Sequence, residues 1–182
     1  MNKIFVQKCE EVFIRQNRME LEDKLISELQ NSTGIMMCEE YRYILENYSR
    51  EFLNDNYELC SKYHSPMADE NGAEPFMYFI GLEGEETLFS VYEMYKEQLP
   101  DSYYPVALAD GGNLICMSNT LDGIYMWIHD NENDTAYKIF DSIEQMVLMI
   151  THNENVEDDL GVIEEDVVMS DEFLAALNKL KV

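Results

Sequence analysis

The stretch VALADGGNLICMSNTLDGIYMWIHD, residues 106–130, decides how this chain folds. It opens as an apolar run, breaks at Asp110-Gly111-Gly112-Asn113, and continues as two alternating segments joined by a loop ending in Asp122-Gly123. A glycine pair between strands has three readings: a phosphate cradle, a metal loop or a turn. A phosphate loop needs a closing Lys-Ser/Thr and a helix whose N-terminal amides face the phosphate, and neither follows here. A calcium loop of the EF-hand kind needs spaced acids that this segment lacks. The turn remains, with glycines for unusual φ and flanking residues that form Asx-type bonds.

Residues 106–109 are then a short buried strand, 114–118 a second and 124–129 a third. The loop 119–123 closes the last two as a hairpin, with Gly123 free to take positive φ. In the third strand Ile124, Met126 and Ile128 face one way, and Tyr125, Trp127 and His129 the other. Both sets are large, so the strand is expected to be central and covered on both faces.

Outward from the hairpin the periodicity changes. Phe5, Cys9, Val12 and Phe13 share one helical face, as do Leu21, Leu25, Ile26 and Leu29, a segment that Gly34 stops. Tyr41, Ile44, Leu45 and Tyr48 repeat the spacing of a core-facing helix. Residues 57–64 read as a strand, 65–75 as a loop and 76–82 as a second apolar strand. An acidic turn at Glu83-Gly84-Glu85-Glu86 leads into a short helix carrying Leu88, Val91, Tyr92 and Tyr95, which ends before Pro100. Ser142 and Gln145 have the spacing of a capping box, and Ile143, Met146, Val147 and Ile150 form the stripe of the helix it opens. Residues 153–172 hold nine acids and no base, and a final helix from Ser170 carries Asp171 and Glu172 in its first turn and Lys179 and Lys181 in its last. The expected organisation is one domain over 1–152 and an acidic extension, 153–182, whose closing helix docks on the body.

Twelve Lys and Arg face thirty-seven Asp and Glu across 182 residues, a net charge of -25. Such a surface repels phosphate backbones and anionic membranes, which argues against direct nucleic-acid binding. It attracts a strongly basic partner, or it keeps the chain in solution; charge alone leaves both open. Only three apolar residues follow Lys3 before Gln7-Lys8, and no run approaches the roughly 18 of a membrane span. Cys9, Cys38, Cys60 and Cys116 are scattered, without a C-x-x-C pair, and read as reduced thiols of a cytoplasmic protein.

The chemical candidates are few. His64, His129 and His152 are the only histidines, and none stands at a zinc-ligand or H-E-x-x-H spacing. His129-Asp130 at a strand end could be a base with its orienter, or a rim histidine beside an exposed acid. No nucleophile elbow and no dinucleotide loop are present. The residues describe an α+β binding domain with no catalytic, cofactor or metal site. Glu83, Glu85 and Glu86, with Asp130, Glu132 and Asp134, lie at strand ends where loops project, and are the candidate contacts for a basic partner.

The segment from Leu99 to Ile150 resembles the SUKH superfamily, which includes the yeast Smi/Knr regulators and many bacterial immunity proteins. The resemblance is carried by Pro105-Val106-Ala107-Leu108-Ala109, the Asp110-Gly111-Gly112-Asn113 turn, Leu114-Ile115-Cys116-Met117, the aromatic strand Gly123-Ile124-Tyr125-Met126-Trp127-Ile128-His129-Asp130, and the Ile139 to Met146 segment. Tyr41 to Tyr48 looks like the family's early helix, with Met37-Cys38 where Leu-Pro is usual. The resemblance implies a single α+β domain with a largely antiparallel sheet flanked by helices, and no catalytic residues. It also implies an immunity protein that neutralises a cognate toxin, often a nuclease, whose basic groove an acidic face could cover. A regulatory or scaffolding module without a toxin is the alternative.

Overall fold

A computed structural model describes residues 1–14, 21–35, 37–54, 56–131 and 136–153. By contacts the chain divides into Met1–His152 and Asn153–Val182, and the first unit carries all the helices and strands described. The expected helix from Ser170, and the acids Glu132 and Asp134, lie outside the described residues.

Three helices come first, each begun and ended by local chemistry. In α1 (Lys3–Val12) the Asn2 side chain accepts the Ile4 N–H, and Phe5, Cys9 and Val12 are buried. In α2 (Asp23–Thr33) Leu29 and Ile26 are buried, and Gly34 closes the helix in the left-handed region at φ 73°. Leu25 departs from the expected stripe and stands partly in solvent. In α3 (Glu39–Asn47) the Cys38 thiol sulfur accepts the Tyr41 N–H at 3.4 Å. Cysteine thus does at this start what a hydroxyl or amide usually does. Tyr41, Ile44, Leu45 and Tyr48 are all buried, as their spacing requires.

A three-stranded antiparallel sheet has the order β2-β1-β8, built from β1 (Tyr57–Cys60), β2 (Ala73–Glu74) and β8 (Ile150–His152). A five-stranded antiparallel sheet has the order β3-β4-β5-β6-β7, from β3 (Phe76–Phe79), β4 (Tyr103–Ala109), β5 (Leu114–Ser118), β6 (Ile124–Trp127) and β7 (Ala136–Phe140). Two more helices, α4 (Leu88–Tyr95) and α5 (Ile143–Leu148), complete an α+β fold. The register of β4 shifts between Pro105 and Ala107. Proline cannot donate to a ladder, and a bulge is where a strand with neighbours on both sides tolerates one.

Several expectations from periodicity change in the assembled sheets. The strand expected over 57–64 ends at Cys60, because the Lys62 and Tyr63 amides turn to the carbonyl of Ile139 in β7, each at 3.1 Å. The loop expected over 65–75 contains β2. The strand expected over 76–82 is ordered only to Phe79, and the one expected from 106 begins at Tyr103. The aromatic strand is covered on both faces, with all four residues of β6 buried, but β5 holds the centre of the sheet. It ends at Trp127 rather than at 129, because the His129 N–H is taken by the Asn113 side chain at 3.0 Å. Ile150 leaves the α5 stripe to start β8, which pairs with β1. The Ser142 cap forms, with Oγ accepting the Gln145 N–H at 3.1 Å. Its reciprocal bond reaches one residue further back, from the Asp141 N–H to Gln145 Oε1 at 2.8 Å.

Candidate functional site

The glycine turn is resolved by Asn113, whose side chain is almost fully buried. Its amide donates to the Asp110 carbonyl at 2.7 Å while Oδ1 receives the His129 N–H. Gly111 and Gly112 stand at φ 75° and 78°, which L side chains rarely adopt, so the chain can double back within four residues. The turn is a clasp between the start of β5 and the end of β6. His129 lies against the edges of Tyr95 and Trp127, with ring centroids 5.8 and 5.9 Å away, and its Nδ1 sits 3.0 Å from Asp130 Oδ1. Among the described residues no three His, Cys, Asp or Glu side chains converge as a metal site would.

The described acidic candidates do not form one surface. Glu83, Glu85 and Glu86 follow the C-terminal end of β3, and Asp130 follows that of β6. These strands run in opposite directions, since each of the three intervening pairings is antiparallel. The 83–86 turn and Asp130 therefore occupy opposite ends of the five-stranded sheet. The turn at 83–86 is also organised from within by a cation that periodicity does not reveal. Arg50 reaches from the loop after α3, and its Nη1 donates to the Glu83 and Glu86 carbonyls at 3.2 and 3.3 Å. Glu86 Oε2 accepts the Tyr78 hydroxyl at 2.8 Å. Glu83, Glu85 and Glu86 are exposed, but an arginine sits at the centre of their turn.

At the hairpin end of the sheet lies a groove of about 720 Å³, within the roughly 300–1,000 Å³ of ligand-sized clefts. Its walls are the loop 119–123, the start of α3 and the start of α5. Met37 and Met117, both half-buried, and Leu121, which is exposed, give it apolar surface. Glu40, Asp122, Asp141 and Glu144 carry its carboxylates, and Lys138 is its one base. Asp141 is committed: Lys138 Nζ stands 2.8 Å from one oxygen and Lys62 Nζ contacts the other. These two ammonium groups, Lys138 first, lower its carboxyl to about 2, and the carboxylate in turn raises Lys62 to about 12. Among the described residues, Glu144 accepts only a neutral amide, from Asn2 at 2.7 Å. In sequence the hairpin and the Ser142 cap read as structure, not as a site. No local signal joins residues 37–40, 119–123 and 141–144, because only tertiary packing brings them together.

Charge follows the same geography. Between Lys62 and Lys138 the only basic residue is Lys96, so the five-stranded sheet and its loops carry acids almost alone.

Among known proteins, a family match covers residues 20–149, from just before α2 to the end of α5. It takes in the glycine turn, the aromatic hairpin and every residue lining the groove. No curated protein and no solved structure matches the chain. The match spans well over half of the 182 residues, and the chain belongs to the SMI1 / KNR4 family (SUKH-1).

Proposed function

We propose that this protein is an immunity protein, which binds and neutralises a cognate bacterial toxin with a basic surface and performs no catalysis itself. The observation that carries the reading is the net charge of -25 on a member of this family. Resemblance to immunity proteins supplies the toxin, and the charge supplies the means of finding it. A surface this acidic attracts a basic, nucleic-acid-binding face over a distance of about a Debye length, ~10 Å at 0.1 M salt. A cytoplasmic binder that intercepts a nuclease in the producing cell fits both features.

The test is co-expression with the toxin encoded beside this gene, together with binding kinetics against the purified toxin. Protection of the cell and a salt-sensitive association rate are the expected results, with dissociation changing less because it depends on close contacts. Converting Glu83, Glu85 and Glu86 to Gln, or Asp130, Glu132 and Asp134 to Asn and Gln, asks which end of the sheet steers. Glu83 and Asp130 lie at opposite ends, so a single compact interface engages one group at most. If neither set alters the rate and salt barely matters, acidic steering is wrong.

A further inference from the structure

We propose that the groove at the hairpin end is a docking site for an extended, cationic segment of a protein partner, one that alternates aliphatic and Arg or Lys side chains. The proposal rests on the binding reading above and gives it a location and a ligand chemistry.

Three observations select this occupant. The first is the imbalance between acceptors and donors. Among the described residues, Glu40, Asp122 and Glu144 have no Lys or Arg partner, while Lys138, the groove's base, is held by Asp141. The helix starts that face the groove, which would otherwise draw an anion, are already capped from within. Cys38 Sγ takes the Tyr41 N–H, Ser142 Oγ takes the Gln145 N–H, and Gln145 Oε1 takes the Asp141 N–H. An anionic ligand would meet carboxylates beside partly capped helix starts, and a cationic one finds open acceptors.

The second is the apolar surface beside those acceptors. Leu121, at the hairpin tip, is 53% exposed, next in the chain to Asp122 and on the groove wall with Met37 and Met117. Arg and Lys bury their methylene stems on such surface while the charged head reaches a carboxylate. Methionines adapt to irregular stems better than branched residues do.

The third is an orphan atom next to the wall. Tyr41 is fully buried on α3, the helix whose start forms one wall of the groove, and its hydroxyl has no partner among the described residues. An unpaired buried hydroxyl is costly, and a small rearrangement of this wall around a bound backbone would give it one.

The test is a nuclear magnetic resonance titration of the isotope-labelled full chain. The probe is an acetylated, amidated hexapeptide of alternating leucine and arginine, with its leucine–glutamate counterpart as control. The arginine peptide is expected to shift amides at 119–123, 37–40 and 141–144, and to lose affinity with added salt. The glutamate peptide is expected to shift none of them. Combining Glu40→Gln, Asp122→Asn and Glu144→Gln should weaken binding roughly ten-fold, as expected for the loss of several part-exposed ion pairs. Leu121→Ser should weaken it without changing the salt dependence. Converting Glu83, Glu85 and Glu86 to Gln should leave it unchanged. Shifts that map to 83–86 or to Asp130, equal response to both peptides, or no response of the wild-type chain overturns the proposal, and none of these needs a variant to fold. The immunity reading is judged separately by protection against the toxin. A chain that protects but maps the peptide elsewhere loses the groove and keeps the function; a chain that maps it to the groove but gives no protection does the reverse.

Discussion

Asn113 joins the two ends of the segment that defines this fold. Its carboxamide oxygen accepts the His129 N–H at 3.0 Å, while its nitrogen donates to the carbonyl of Asp110. One side chain thereby closes the glycine turn and ends the aromatic strand. Asn113→Ala removes both bonds at a buried position and should cost about 1–3 kcal/mol in denaturant melts. Asn113→Asp keeps the acceptor but sets a carboxylate oxygen against the Asp110 carbonyl. Burial and that repulsion raise the folded-state pKa of the introduced carboxyl above its unfolded value of about 3.9. Its destabilisation is therefore full at neutral pH and fades as pH falls toward that value. A deficit that stays constant from pH 7 to 4 would mean that the introduced carboxyl keeps its unfolded pKa and is not repelled by the Asp110 carbonyl.

Gly84 is the second position where backbone conformation decides. It stands at φ 96°, and an added Cβ would lie 2.6 Å from Arg50 Nη1. Gly84→Ala should cost roughly 1–3 kcal/mol, the usual range for a side chain forced into a sparsely populated region. Part of that cost is the collision with the guanidinium. Combining it with Arg50→Ala should therefore destabilise by less than the sum of the two single changes. Strict additivity, measured in a double-mutant cycle, would remove Arg50 from the centre of the acidic turn.

Asp141 ties β7 to the loop after β1 through Lys138 and Lys62. Its carboxyl is held down at about 2, against an ordinary 3.8. A depressed carboxyl stabilises the fold fully above its unfolded pKa and loses that contribution as pH falls through the folded one. The melting temperature of Asp141→Asn should lie below that of the wild type at pH 6. The gap should close between about pH 4 and 2. The site is partly in solvent, so the effect should be modest and should shrink with salt.

Trp127 is the chain's only tryptophan and is 1% exposed. The ring of Tyr95 meets it edge-on at 5.5 Å. Trp127→Ala should cost roughly 3–5 kcal/mol, the range for emptying a large core site. Its indole nitrogen is buried without a partner among the described residues, so no hydrogen bond is lost in Trp127→Phe. That change should cost clearly less than the alanine variant. Fluorescence of the wild type should move to longer wavelength on unfolding, and an emission already at the solvent-exposed position in buffer would contradict the burial.

The sequence by itself determined the elements whose side chains repeat with a clean period. The stripes of α1 and α3 and the two-sided aromatic strand follow from which positions must leave water, and the glycine turn follows from φ. It also determined the charge, which is a sum over residues and needs no fold. Tertiary structure decided the rest. Strands β2, β7 and β8 are too short or too mixed in character for a local pattern, and β8 exists because Ile150 to His152 finds β1 as a partner. Edge and centre were likewise assigned by pairing, which moved β6 one place from the middle. Glu83 and Asp130 both follow strands in sequence, yet antiparallel alternation sends them to opposite ends of a sheet. Arg50 enters an acidic turn from more than thirty residues away, and the groove gathers residues 37–40, 119–123 and 141–144. Periodicity reports only which side of an element faces the core. Which loops meet beyond the core depends on the order and direction of strands, and those are settled by hydrogen bonds between segments far apart in the chain.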